Sequence, residues 1–153
     1  MSTLLERRKI EAEFAQVLYE EIVLELGEEK SLDILSSVAR KLARKMGNIL
    51  AERDGETNIR SFAKILSLWQ EDGALEIEHK ELSDHALSFD VTRCRYAEMY
   101  EEIGASYLGS ALSCNRDGSL CEGYDHRIKM KREETIMTGH SRCKFRFVLD
   151  LEE

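Results

Sequence analysis

The stretch Leu87-Ser88-Phe89-Asp90-Val91-Thr92 decides the fold class. Apolar and polar side chains alternate there with the two-residue period of a strand buried on one face. The same period returns in Cys143-Lys144-Phe145-Arg146-Phe147-Val148-Leu149, with Cys143, Phe145, Phe147 and Leu149 on the apolar side. Ile128, Met130, Arg132, Glu134 and Ile136 share one face of a third strand, and Thr138-Gly139-His140-Ser141 is the turn that follows it. Residues 74–79 form a further short strand. Two short helices interrupt this pattern. One carries Tyr96, Met99, Tyr100 and Ile103 and stops at Gly104; the other carries Tyr107, Leu108, Ala111 and Leu112.

Upstream of residue 74 the period is helical. Leu4, Phe14, Val17, Leu18 and Ile22 recur at helical spacing up to Gly27. Ser31 is placed to cap a second helix whose packing stripe is Leu32, Leu35, Val38, Leu42, Met46 and Ile49, ending near Asp54-Gly55. Thr57 or Asn58 caps a third, with Ile59, Phe62, Leu66 and Trp69 on one face and Gly73 beyond it. Helices first and then mostly strands predicts an α+β fold, N-terminal helices packed on a twisted antiparallel sheet that carries inserted short helices. No repeat or low-complexity linker interrupts the sequence. The expectation is a single domain over residues 1–153, with a helical half at 1–73 and a mixed sheet and helix half at 74–153.

Composition narrows the function. A net charge of −8 with no basic cluster argues against a nucleic-acid partner. No apolar run has the length of a membrane span, and acids follow Arg7-Arg8 at once, unlike a signal peptide. The expected setting is the cytoplasm, where cysteines are mostly reduced. The expected partner is a small-molecule substrate. A homodimer, if one forms, would use the helical half.

All 4 cysteines and all 4 histidines lie between His79 and Cys143, which puts the candidate chemistry in the second half. Arg132 shares the inward strand face with Ile128 and Met130, and a guanidinium there needs an anion. Glu134, Asp117 or a ligand carboxylate can supply it. The plain alternative is an edge strand with Arg132 at its wet end. Cys114 and Asp117 are close in sequence and share a face if that segment is helical. A nearby carboxylate raises a thiol pKa, so Cys114 is a nucleophile only if a cation offsets it; otherwise it packs as a small hydrophobe. Cys143 falls on the apolar face. Strand parity places Cys94 with Ser88, Asp90 and Thr92, opposite Phe89. No CxxC pair, HExxH helix or phosphate loop occurs, so no metal site or cofactor is assigned, although ligands from distant positions can still converge.

The segments Val91-Thr-Arg93-Cys94-Arg95-Tyr96, Tyr100-x3-Gly104, Ser113-Cys114-Asn115-Arg116-Asp117, Arg132-x2-Thr135-Ile-Met-x-Gly139 and Cys143-x-Phe145-Arg146 together resemble the L-2-amino-thiazoline-4-carboxylic acid hydrolase family. The resemblance extends through the helical half to Trp69. The chain departs from the family pattern at Lys144, where an acid is frequent, and at Asp125-His126, where Asn-Pro is frequent. The second half also resembles the 4-vinyl-reductase-type small-molecule-binding domain, which similarly ends in a Gly-x3-Cys-x-Phe hairpin. The first resemblance implies hydrolytic opening of a carboxylated cyclic isothiourea to an N-carbamoyl cysteine. It implies catalytic roles for Asp117, Cys114 and His140 and substrate contacts from Arg132, Cys94, Thr135, Cys143 and Arg93, with Arg95 as an alternative carboxylate anchor. Asp117 activating water is preferred to attack by Cys114; His140 would supply a proton. The second resemblance implies a non-catalytic module that binds a small molecule or a metal.

Overall fold

A computed structural model describes residues 2–151. Helix α1 (Leu4–Leu26) opens with a capping box. The Thr3 hydroxyl accepts from the Glu6 amide at 3.1 Å, and the Glu6 carboxylate accepts from the Thr3 amide at 2.9 Å. Gly27, at φ +81°, ends α1 and begins α2 (Glu28–Asp54) without an intervening loop. Ser31 therefore does not cap α2. It lies inside the helix and donates its hydroxyl back to the Gly27 carbonyl at 2.6 Å.

The buried seam of α2 also differs from the expected stripe. Leu35, Ala39, Ala43, Gly47 and Leu50 face the core, whereas Val38, Leu42, Met46 and Ile49 are about half exposed. The reason is close approach. Helix α7 (Arg116–Tyr124) crosses α2 so tightly that a Cβ on Gly47 would overlap the Leu120 carbonyl, and one on Gly123 would overlap the Arg44 carbonyl. Small residues admit a backbone that large ones would exclude.

Asn58 caps α3 (Ile59–Ala63), and α4 (Leu66–Trp69) follows after a break at Lys64-Ile65. Ile59, Phe62, Leu66 and Trp69 are all buried, as their shared face predicts. The sheet comprises β1 (Leu75–Leu82), β2 (Ala86–Cys94), β3 (Ile128–Lys131) and β4 (Cys143–Leu149) in the order β1-β2-β4-β3. Every neighbouring pair is antiparallel. Between β2 and α7 come α5 (Arg95–Glu102), α6 (Ser106–Gly109) and a π turn at Ser110–Cys114. The architecture is α+β, with helices on one face of an open antiparallel sheet.

Phe89, Phe145 and Phe147 stack on the inner face, and Phe62 meets Phe147 at 5.0 Å between ring centroids. On the outer face Asp90 is buried as well. Burial pushes its carboxyl up, but Arg142 at 2.8 Å and Arg146 at 3.0 Å hold it below the usual carboxylate range.

Two strand expectations fail locally, and both failures shape the cavity. The pairing of β1 with β2 slips between Glu76↔Arg93 and Ile77↔Val91, leaving Thr92 as an extra residue. That bulge reverses the parity beyond it. Cys94 lines the same cavity as Val91 rather than sharing the Ser88 face. The third strand, in turn, ends at Lys131 rather than running to Ile136. Arg132 turns off the sheet toward α7, and Ile136–Thr138 form a single 3-10 turn.

Candidate active site

A cavity of about 370 Å³ lies between the inner sheet face and helices α1, α2, α4 and α7. Its polar wall is assembled from five separate segments. The N-terminal turn of α7 supplies Asp117 and Arg116, and the π turn before it supplies Cys114. Cys94 stands at the bulged end of β2, Cys143 at the start of β4, and Arg132 just past β3.

Arg132 holds this wall together. Nη1 donates to Asp117 Oδ2 at 2.6 Å, and Nη2 donates to the Cys114 carbonyl at 3.0 Å. The π turn that carries Cys114 sends the Asn115 amide back to the Ser110 carbonyl at 2.9 Å. The Arg132 side chain is only 10% exposed, its Cζ lies 4.9 Å from the centre of the Phe145 ring, and its Nε is buried with no hydrogen-bond partner among the described residues. Of the anions considered from sequence, Asp117 is the one it pairs with; Glu134 pairs with Lys144 at 3.4 Å.

Burial dominates the titration of this wall. It raises the Asp117 carboxyl to about 6, and the opposing pull of Arg132 does not restore the ordinary value. Burial first and Asp117 second lift the Cys114 thiol to about 12. Cys94 rises to about 11 for the same first reason, and Cys143 also rises. At neutral pH the wall thus offers a carboxylate and neutral thiols, not a thiolate.

Other nominated residues lie elsewhere. His140 is exposed, with Nδ1 3.3 Å from the Thr138 hydroxyl, and is not part of the cavity lining. The Thr135 hydroxyl accepts from the Thr138 amide at 3.3 Å and caps the 3-10 turn. Arg93 is outside the cavity, paired with Glu98 at 3.0 Å. Cys121 is buried and donates its thiol to the Ile128 carbonyl at 3.3 Å. Among the described residues no group of three or more His, Cys, Asp or Glu side chains is arranged to hold a metal ion, and no helix is long and apolar enough to cross a membrane.

Sequence reasoning missed three cationic lining residues, Arg7, Arg8 and Arg116. Arg8 and Arg116 share Glu11, at 2.9 and 3.0 Å. Arg7 bonds among the described residues only to Ser2. Arg7-Arg8 lies in the first turns of a helix with apolar side chains on both its inner and outer sides, and nothing in its spacing marks a site. Arg116 sits inside the Cys114–Asp117 segment, and two basic residues meeting one acid would have been its only signal.

The inner sheet face and the helices packed against it define a class of α+β domain that encloses a ligand-sized cavity. Within that class, the sequence profile described as L-2-amino-thiazoline-4-carboxylic acid hydrolase matches residues 7–147, and the chain belongs to this family. A search of curated proteins gives no match. Among solved structures, the chain is similar to the phenol-responsive sensory domain of the transcription activator PoxR, with phenol (TM-score 0.56, 11% identity, 90% of this chain and 73% of that one). It is equally similar to a trafficking protein particle complex subunit 3 from Naegleria fowleri covalently bound to palmitic acid (TM-score 0.56, 10% identity, 96% and 98%). Likenesses at such identity concern the fold alone.

Proposed function

We propose that this member of the hydrolase family opens a carboxylated cyclic isothiourea, a 2-amino-thiazoline-4-carboxylate-like ring, to an N-carbamoyl cysteine. The observation that carries the reading is Asp117: a cavity-lining carboxylate whose burial raises it to about 6, fixed at 2.6 Å by Arg132. A base poised near neutrality is what proton abstraction from water requires.

In the proposed reaction Asp117 takes a proton from water as the oxygen bonds to the amidine-like ring carbon. The tetrahedral centre collapses to a carbonyl as its hydroxyl proton passes to the ring nitrogen, the carbon–sulfur bond breaks, and the sulfur leaves with the proton returned by Asp117. Atoms balance as substrate plus one water. Arg132 orients Asp117, which makes it a positioning residue. The substrate carboxylate is drawn by the cationic group Arg7, Arg8 and Arg116. Attack by Cys114 is less favoured, since a thiol raised to about 12 is protonated at neutral pH.

The test incubates purified protein with 2-amino-thiazoline-4-carboxylate and follows the mass gain of one water and the release of free thiol. Asp117→Asn is expected to lower turnover by at least about 10³-fold while binding persists. Turnover retained in that variant would remove Asp117 from the role.

A second reading is a non-catalytic binding module of the 4-vinyl-reductase type. It is favoured by the apolar side chains that make up most of the cavity wall and agrees with the phenol and the palmitic acid held by the two similar structures. Binding of the ring without mass gain in any condition would select it.

A further inference from the structure

The cavity is larger and more apolar than the proposed ring requires. A carboxylated thiazoline has about nine non-hydrogen atoms and fills on the order of 150 Å³ at protein packing density. The cavity measures about 370 Å³. Most of the remaining lining is apolar; Ser2, Glu71 and Ser113 are the polar side chains added to the arginines and Asp117. Phe145 neighbours both groups: the Arg132 guanidinium lies 4.9 Å from its ring centre, and the Trp69 ring centre lies 6.0 Å away. Around Trp69 the lining side chains Ala43, Leu50, Ile65 and Leu120 are buried and form an apolar recess, while the lining Met46 and Leu68 are half-exposed. The nearest phenol, Tyr96, already donates to the Trp69 carbonyl at 3.2 Å, so its hydroxyl is spent on the wall. Water in such a recess would find few partners.

We infer that the substrate is not the bare ring but a carboxylated ring carrying an apolar substituent, aryl or short alkyl, seated in the Leu50–Ile65–Trp69 recess. This rests on the hydrolase reading for the ring and on the recess alone for the substituent. Burying a side group the size of a Phe ring is expected to strengthen binding about 30-fold.

Trp69 is the only tryptophan, so its fluorescence reports the recess directly. Three compounds are titrated against the full chain: 2-amino-thiazoline-4-carboxylate, the same ring with a benzyl group on its carbon 5, and 4-phenylbutyrate. Turnover is followed for the two rings. The expected result is about 30-fold tighter binding of the benzyl ring and a correspondingly higher kcat/KM. Equal or weaker binding of the benzyl ring overturns the inference, and turnover of the bare ring in that case leaves the hydrolase reading intact. Tight binding of the benzyl ring and phenylbutyrate with neither ring opened supports the apolar recess and overturns hydrolysis, and with it the substrate assignment. Leu50→Phe, which fills the recess, is expected to bring the benzyl-to-bare ratio close to one; an unchanged ratio would place the substituent elsewhere. The titrations on the unaltered chain decide the matter even if that variant fails to fold.

Discussion

At Asp117 two forces oppose each other. Burial disfavours its charge, and Arg132 at 2.6 Å favours it; burial wins, leaving the carboxyl at about 6 rather than 3.8. The consequences for activity and stability have opposite signs. As a base Asp117 works deprotonated, so kcat/KM is expected to rise through pH about 6 and level off above it, checked by a pH–rate profile. For stability, the folded state holds this proton more tightly than the unfolded chain does. The Asp117 contribution is fully present below pH 3.8 and is lost as pH rises through about 6. Asp117→Asn lacks that loss. Its Tm relative to the unaltered protein is therefore expected to be higher at pH 7 than at pH 3.5, and a difference independent of pH would contradict the assignment.

At the scale of elements, the crossing of α2 and α7 positions the whole polar wall, because Asp117 stands in the first turn of α7. The crossing depends on two glycines that meet backbone rather than side chains. A Cβ at Gly123 falls on the carbonyl carbon and oxygen of Arg44, which have no room to rotate away. Gly123→Ala is expected to cost about 3 kcal/mol, read as a lowered midpoint in urea. Gly118→Ala is the control. The nearest atom to its Cβ would be the Met130 methyl at 3.4 Å, ordinary contact with a flexible side chain, and the midpoint is expected to hold.

At the scale of the molecule, α1 and α2 carry apolar side chains that none of the described residues covers. Ile10, Phe14, Val17 and Leu24 lie on one side of α1, opposite the buried Ala12, and Phe14 is 75% exposed. Val38, Leu42, Met46 and Ile49 lie beside the buried seam of α2. Together they expose on the order of 1,000 Å², above the roughly 800 Å² that one partner gives a standard interface. The expected occupant is a second copy of this chain, since one surface then satisfies itself. Met46 also rims the cavity, so the interface would extend to its mouth. Sedimentation of the unaltered chain is expected to give a dimer, and Phe14→Glu a monomer. A monomer before mutation would leave this face to another partner.

Local pattern by itself determined the helix-then-strand order, the Gly27 and Gly55 helix ends, the buried Ile59–Trp69 face and the apolar side of β4, because each depends on side chains within one turn or one pleat. It also placed Cys114 and Asp117 together, three residues apart on one backbone segment. The remainder depended on contacts between distant segments. Periodicity ranks residues by hydrophobicity, so it chose Leu42 and Met46 over Ala43 and Gly47; the approach of α7 reversed that choice. Parity counts residues, so the bulge at Thr92 moved Cys94 to the other face unannounced. His140 was nominated for its titration range, but only the fold could leave it on the surface. Arg7 and Arg8 joined the site because the start of α1 packs against a cavity to which both halves of the chain contribute. What a residue can do chemically is carried in its side chain, whereas what it faces is settled only when distant backbone closes around it.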